Sequence, residues 1–216
     1  MTKKSLGQYW LNDRGFLDEV AFSAKVEGVD LCLEIGPGTG KLTSSLLRVF
    51  DYVTAVEFDD ELAKNLPNSF PGKNLTVINQ DFLDFDFASL GSPYSVAGNI
   101  PYYISSPIIL KLILAKPAPQ KISLLLQREF AEKIAAEKSA LALTVKNRAD
   151  ISLGSIVKKE LFTPIPKVDS RILVLTPHSP QVSNEVISFL RQGYSNPRKK
   201  LIKNLPYNND FLKSTF

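Results

Sequence analysis

Over its first 177 residues the chain alternates short runs of apolar and β-branched residues with segments in which apolar residues recur every three or four positions, the pattern of alternating strand and helix. Strand runs are predicted over 31–35, 52–58, 75–78, 94–97, 121–127, 151–157 and 171–176, and helices over 15–25, 39–50, 59–66, 105–115 and 128–148. Asp59 stands where a helix N-cap belongs, and Ser106-Pro107 reads as a cap followed by a first-turn proline. Only the proline-rich stretch 161–168 separates the last two strand runs, too little for a crossover helix, so those two strands should pair antiparallel. The predicted fold class is α/β: one seven-stranded, mostly parallel sheet with a terminal antiparallel strand. After Pro177 the pattern changes, and 182–191 and 198–205 read as two short helices. The chain thus divides into a main domain over 1–177 and a short helical appendix over 178–216, too small for a core of its own.

Composition narrows the function classes. With 216 residues and 44% hydrophobic content the chain can bury one good core, and it has no apolar run approaching the ~20 residues of a spanning helix, so no membrane role is expected. The basic start Met1-Thr2-Lys3-Lys4-Ser5 has no apolar stretch behind it, so a cytoplasmic rather than secreted protein is expected. A single cysteine, Cys32, lies in an apolar run and reads as a core residue, and a single histidine, His178, sits beside Pro177. Disulfides, cysteine zinc sites and histidine-based triads are hard to assemble from these. The net charge of +4 is unevenly spread. Lys3 and Lys4 open the chain, residues 191–216 carry a net +5 that includes Arg198, Lys199 and Lys200, and residues 5–190 hold −3. A mildly acidic body with basic ends suits a polyanionic partner, nucleic acid first.

Four stretches carry candidate chemistry. Glu34-Ile35-Gly36-Pro37-Gly38-Thr39-Gly40 follows a strand and opens a helix, where glycines let backbone N–H groups approach a ligand. Glu57 ends the next strand, 21 positions after Gly36, where a carboxylate can accept from both hydroxyls of a ribose. Asp81 with Phe82 ends the third strand and suits the edge and face of an adenine, although Asp81 alone also reads as a helix cap. Up to this point a nicotinamide oxidoreductase fits as well. Asn99-Ile100-Pro101-Tyr102, at the end of the fourth strand, separates the two readings. The Asn99 side-chain carbonyl and the Ile100 backbone carbonyl can both accept hydrogens of an exocyclic adenine amine, drawing its lone pair out of conjugation, and Pro101 preorganises the turn. Tyr102 can stack on the base and face a methylsulfonium or the cationic product. No general base is needed, because the methylated nitrogen is acidic enough to lose its proton to water.

Together, Leu6-Gly7-Gln8-Tyr9-Trp10-Leu11-Asn12-Asp13, the glycine loop with Leu42-Thr43, Asn99–Tyr102 with Ile104-Ser105, and Phe162-Thr163-Pro164-Ile165-Pro166-Lys167-Val168-Asp169-Ser170 resemble the rRNA adenine dimethyltransferases in order and spacing, over residues 4 to about 176. The resemblance implies a Rossmann-like class I methyltransferase that uses S-adenosylmethionine, acts on ribosomal RNA or a small ribosomal subunit precursor, and works as a monomer. It implies that Tyr9, Leu11, Gly36, Gly38, Glu57, Asp81 and Asn99 hold the cofactor, that Asn99, Ile100 and Tyr102 serve the reaction, and that Phe162 closes a sandwich with Tyr102 on the flipped base. Lys3, Lys4, Arg198, Lys199 and Lys200 would grip RNA. Gly7-Gln8, Gly36-Pro37-Gly38, the 162–170 segment and Asn196-Pro197-Arg198-Lys199-Lys200-Leu201 look like the small-subunit (KsgA) type, whereas 139–152 looks more like the large-subunit (Erm) resistance enzymes. The small-subunit type is favoured over the Erm type and over a non-catalytic RNA-binding assembly factor. Departures are Tyr9 in place of the usual His or Asn, Trp10 in place of Phe, and Tyr103 in place of Asn, the last bearing on whether a second methyl is accepted. The appendix is shorter than the helical subdomain usual in that family, which bears on target choice.

Overall fold

A computed structural model describes residues 8–91, 93–137 and 139–178. Lys3, Lys4 and residues 179–216 of the appendix, with Arg198, Lys199 and Lys200 among them, lie outside the described residues. Seven strands form one sheet: β2 (Leu31–Ile35), β3 (Tyr52–Glu57), β4 (Leu75–Asn79), β5 (Tyr94–Asn99), β6 (Ile122–Gln127), β7 (Ala149–Val157) and β9 (Ser170–Pro177). Their order is β4-β3-β2-β5-β6-β9-β7, and the first five run parallel. β9 is antiparallel to both β6 and β7, so the antiparallel strand is last in sequence but lies inside the sheet, with β7 at the edge. The expected α/β sheet and the β7–β9 antiparallel pair are therefore present.

Alternation along the central strands divides the core into two layers. Leu33, Val96, Leu124 and Leu173 face one cluster with Ile108, Ile109 and Leu112 of α4 (Ser105–Ile113). Their neighbours Cys32, Ala97, Leu125 and Ile172 face a second, with residues of α1 (Arg14–Ala24) and α2 (Lys41–Val49). α1 starts where Asp13 accepts a hydrogen bond from Phe16 N (3.1 Å). α3 (Asp60–Asn65) starts at the expected cap, with Asp59 accepting from Glu61 N and Leu62 N at 3.0 and 3.2 Å. Among the described residues no helix is long and apolar enough to cross a membrane.

Two local expectations are corrected. The single helix predicted over 128–148 is two, α5 (Arg128–Ala135) and α6 (Ala140–Lys146). Glu137 takes a left-handed φ of 57°, and Ser139 caps the second helix by accepting from Ala142 N at 3.1 Å. Ser106 is no cap: α4 runs on from a 3-10 turn over Tyr102–Ile104 and has no side-chain cap. Beyond the sheet, the N-terminal arm forms a second, small one, as β1 (Trp10–Leu11) pairs antiparallel with β8 (Phe162–Thr163) from the β7–β9 connection.

Candidate active site

The sheet order reverses between β2 and β5, the place where open α/β sheets bind ligands beyond the carboxyl ends of their strands. A cleft of 230 Å³ lies there. Its wall is built strand by strand: the glycine loop after β2, Glu57 and Phe58 after β3, Gln80–Leu83 after β4, and Asn99–Ile104 after β5. The arm residues Gln8–Leu11 close it from above.

Glu57 fastens two of these loops. Its Oε2 accepts from Gly38 N at 2.9 Å and its Oε1 from Asp59 N at 2.8 Å, so the carboxylate is held in place and each oxygen keeps lone-pair capacity toward the cleft. The loop needs glycine. Gly38 has φ +57°, and a Cβ there would meet Trp10 Nε1 at 3.1 Å; Gly36 has φ +61° and open space where its Cβ would point. Asp81 also lines the cleft, and its Oδ1 caps Leu83 N at 2.8 Å, so it is both a cap and a wall residue.

Asn99 is held by its amide. Its Nδ2 donates to the Tyr9 carbonyl at 2.9 Å, which commits the nitrogen and leaves Oδ1 as the acceptor toward the cleft. Ile100 is 1% exposed, so its side chain anchors the turn in the core, while Pro101 holds φ −57° and ψ 135°. Tyr102 donates to or accepts from Ser170 Oγ at 2.9 Å. Burial, only partly offset by that bond, pushes its phenol up, so it stays neutral.

The structure brings Tyr9, Leu11, Gly36, Gly38, Glu57, Asp81, Asn99, Ile100 and Tyr102 to one cleft. Phe162 is the exception. It is 2% exposed, packs in the core cluster under α1 and α2, and does not line the cleft. Pairing of β8 with β1 explains this: Leu11 and Phe162 are register partners and both turn inward. Against Tyr102 stands Tyr9, with ring centroids 5.4 Å apart and planes inclined by 21°. The sequence reading also passed over Phe58. It is 60% exposed on the cleft, whereas Phe82, which also lines the cleft, is 5% exposed and packs against Phe85 and Phe87. Its position as the aromatic after a strand-ending acid was the available signal.

Comparison with known proteins agrees with this geometry. The family model described as ribosomal RNA adenine dimethylase matches residues 1–209. A ribosomal RNA small subunit methyltransferase A from Acaryochloris marina is 38% identical over 94% of this chain and 82% of its own length. A dimethyladenosine transferase from Plasmodium falciparum superposes with a TM-score of 0.78 at 32% identity, covering 94% of this chain and 77% of that one. The 23S rRNA methyltransferase ErmE also gives 0.78, at 28% identity over 95% of this chain and 87% of its own. A glycine loop tied to Glu57, an amide-anchored Asn99 before Pro101-Tyr102, and these likenesses over nearly the whole chain lead to one assignment: the chain belongs to the ribosomal RNA adenine dimethylase family.

Proposed function

We propose that this protein transfers methyl groups from S-adenosylmethionine to the exocyclic amine of adenosines in small-subunit ribosomal RNA, two to each target, and acts as a monomer on the RNA or on a precursor of the small subunit. The observation that carries the chemistry is Asn99, whose Nδ2 is spent on the Tyr9 carbonyl so that Oδ1 is left to accept from an amine. The choice of small-subunit RNA rests on relatives such as the Acaryochloris marina protein, 38% identical and named for that subunit, against 28% for ErmE.

The cleft suits the cofactor. Gly36 offers bare backbone with open space in front of it, Glu57 has acceptor capacity for ribose hydroxyls, and Asp81 with the exposed ring of Phe58 suits an adenine. When bound, the cofactor supplies an electrophilic methyl on a sulfonium. Asn99 Oδ1 and the Ile100 carbonyl then accept the two amine hydrogens of the target base, drawing its lone pair toward an in-line approach. Tyr102 stacks on the flipped base, and its hydrogen bond to Ser170 holds the ring. The proton released after each transfer leaves to water, so no residue need titrate. Tyr103 lines the cleft but is 65% exposed, so its ring has solvent to move into, and this supports a second transfer.

The test is transfer of tritiated methyl from S-adenosylmethionine to unmodified small-subunit particles and, separately, to large-subunit RNA, followed by nucleoside mass analysis. Dimethyladenosine in the small-subunit sample is expected. Label in the large-subunit sample alone would favour the Erm-type reading, monomethyladenosine alone would refute the second transfer, and no label with intact cofactor binding would favour a non-catalytic RNA-binding factor.

A further inference from the structure

The face of Tyr102 that a target base needs is covered by a side chain of the protein's own arm. Tyr9 lies on it at 5.4 Å, nearly parallel. A base inserted between two rings requires them to stand about 7 Å apart, two layers of carbon contact, so this pair is closed. The backbone beneath Tyr9 is fixed: its carbonyl accepts from Asn99 Nδ2, Trp10 and Leu11 are paired with β8, and Asn12 Nδ2 donates to Thr163 Oγ1 at 2.8 Å. The ring is held less firmly. It is half-buried at the margin of the core cluster under α1 and α2, and among the described residues its hydroxyl has no hydrogen bond. A fixed backbone and a ring held only by packing, on Tyr102 and on the edge of that cluster, make a side chain that can turn about χ1 without disturbing Asn99. The aromatic that the family resemblance placed opposite Tyr102, Phe162, is buried elsewhere, so that place is open to another ring.

We infer that Tyr9 is the second wall of the target-base slot: its ring rests on Tyr102 while the slot is empty and swings out to take the flipped adenine between the two phenols. This rests on the function proposed above. It moves the Tyr9 ring from the cofactor, where the family resemblance put it, to the RNA base. Closed, the pair keeps water from the amine-accepting turn; open, it offers a base two stacking faces in exchange for the stack it leaves in RNA.

The test compares the full chain with Tyr9→Ala and Tyr9→Phe, both of which keep the backbone carbonyl that holds Asn99. Loss of one stacking face should slow single-turnover methyl transfer to unmodified small-subunit particles by about 10-fold to 100-fold in Tyr9→Ala. S-adenosylmethionine affinity should stay within about twofold, and Tyr9→Phe should restore the rate. A Tyr9→Ala rate equal to wild type overturns the inference, as does a loss of cofactor affinity that matches the loss of rate. A second measurement is independent of catalysis: a short single-stranded RNA carrying 2-aminopurine, bound in the presence of S-adenosylhomocysteine, should be quenched by wild type and lose that quench in Tyr9→Ala. Quenching without methyl transfer would leave the slot intact and refute the enzymatic reading; methyl transfer with a quench unchanged in Tyr9→Ala would refute the slot and leave the enzyme.

Discussion

Glu34 is fully buried on β2, on the face that packs against α2, and its carboxyl is pushed up to about 8 from an ordinary 4.5. Burial is the main cause. The Thr43 hydroxyl favours the charged form and the nearby Glu57 carboxylate opposes it, yet neither Glu34 oxygen reaches a partner at full hydrogen-bond geometry among the described residues. The unfolded chain ionises this group near 4.5, while the folded chain keeps its proton to about 8. Between those values the folded state binds more protons, so stability falls as pH rises, by up to about 1.4 kcal/mol per unit. The contribution is fully present below pH 4.5 and gone above pH 8. Integrated between pH 6 and pH 8, the loss is about 2 kcal/mol. Glu34→Gln has the same shape and no proton to lose. Its amide brings donors into a site that offers them little, so its absolute stability should be lower at both pH values, and the informative quantity is the difference between them. Urea unfolding of both proteins at matched ionic strength should show the wild type losing about 2 kcal/mol more than the variant between the two pH values. Equal losses in wild type and Glu34→Gln would refute the reasoning, because some other group would then carry the slope.

Other perturbations test the site and its supports. Asn99→Ala should lower methyl transfer at least about 100-fold with little change in S-adenosylmethionine affinity measured by calorimetry, since it removes a preorganised acceptor for the amine. Phe162→Leu should lower the urea midpoint through poorer core packing, by less than the roughly 3–5 kcal/mol of a change to Ala, while methyl transfer per folded molecule stays within a few-fold; a 100-fold loss in a folded variant would return Phe162 to the base. Gly40→Ala, at φ +82° with its Cβ 2.8 Å from Leu66 and Phe70 side-chain atoms, should cost about 2–4 kcal/mol, read as a fall in Tm. Replacing Arg198, Lys199 and Lys200 by alanine should flatten the salt dependence of RNA binding by up to about 0.9 for each phosphate no longer neutralised, and an unchanged slope would make them solubilising only.

What was legible in the sequence follows from range. Each strand of the main sheet announced itself through its own apolar run, and because parallel strands end at one edge of a sheet, Gly36, Glu57, Asp81 and Asn99 could be gathered into one cleft from their places at strand ends. The break between α5 and α6 was less visible, because apolar spacing continues across it and only Ser139 marks the new start. β1 and β8 carry no period of their own: each is two residues long, they lie about 150 positions apart, and only their pairing gives them an inside and an outside. That pairing decides the aromatic question. An antiparallel register of Leu11 with Phe162 and Trp10 with Thr163 sends the first pair into the core, at 1% and 2% exposure, and the second to the other face, with Trp10 half-buried on the cleft beside Gly38 and Thr163 exposed. A slip of one residue would exchange the faces. Phe162 before a proline-rich loop suits either a core or a base-binding role when read locally, and the arm that settles it also carries Tyr9 to Tyr102. One non-local pairing thus withdraws one ring from the cleft and delivers another, so the residue facing the target base is set by how the arm closes over the β7–β9 connection rather than by the motif in which the aromatic stands.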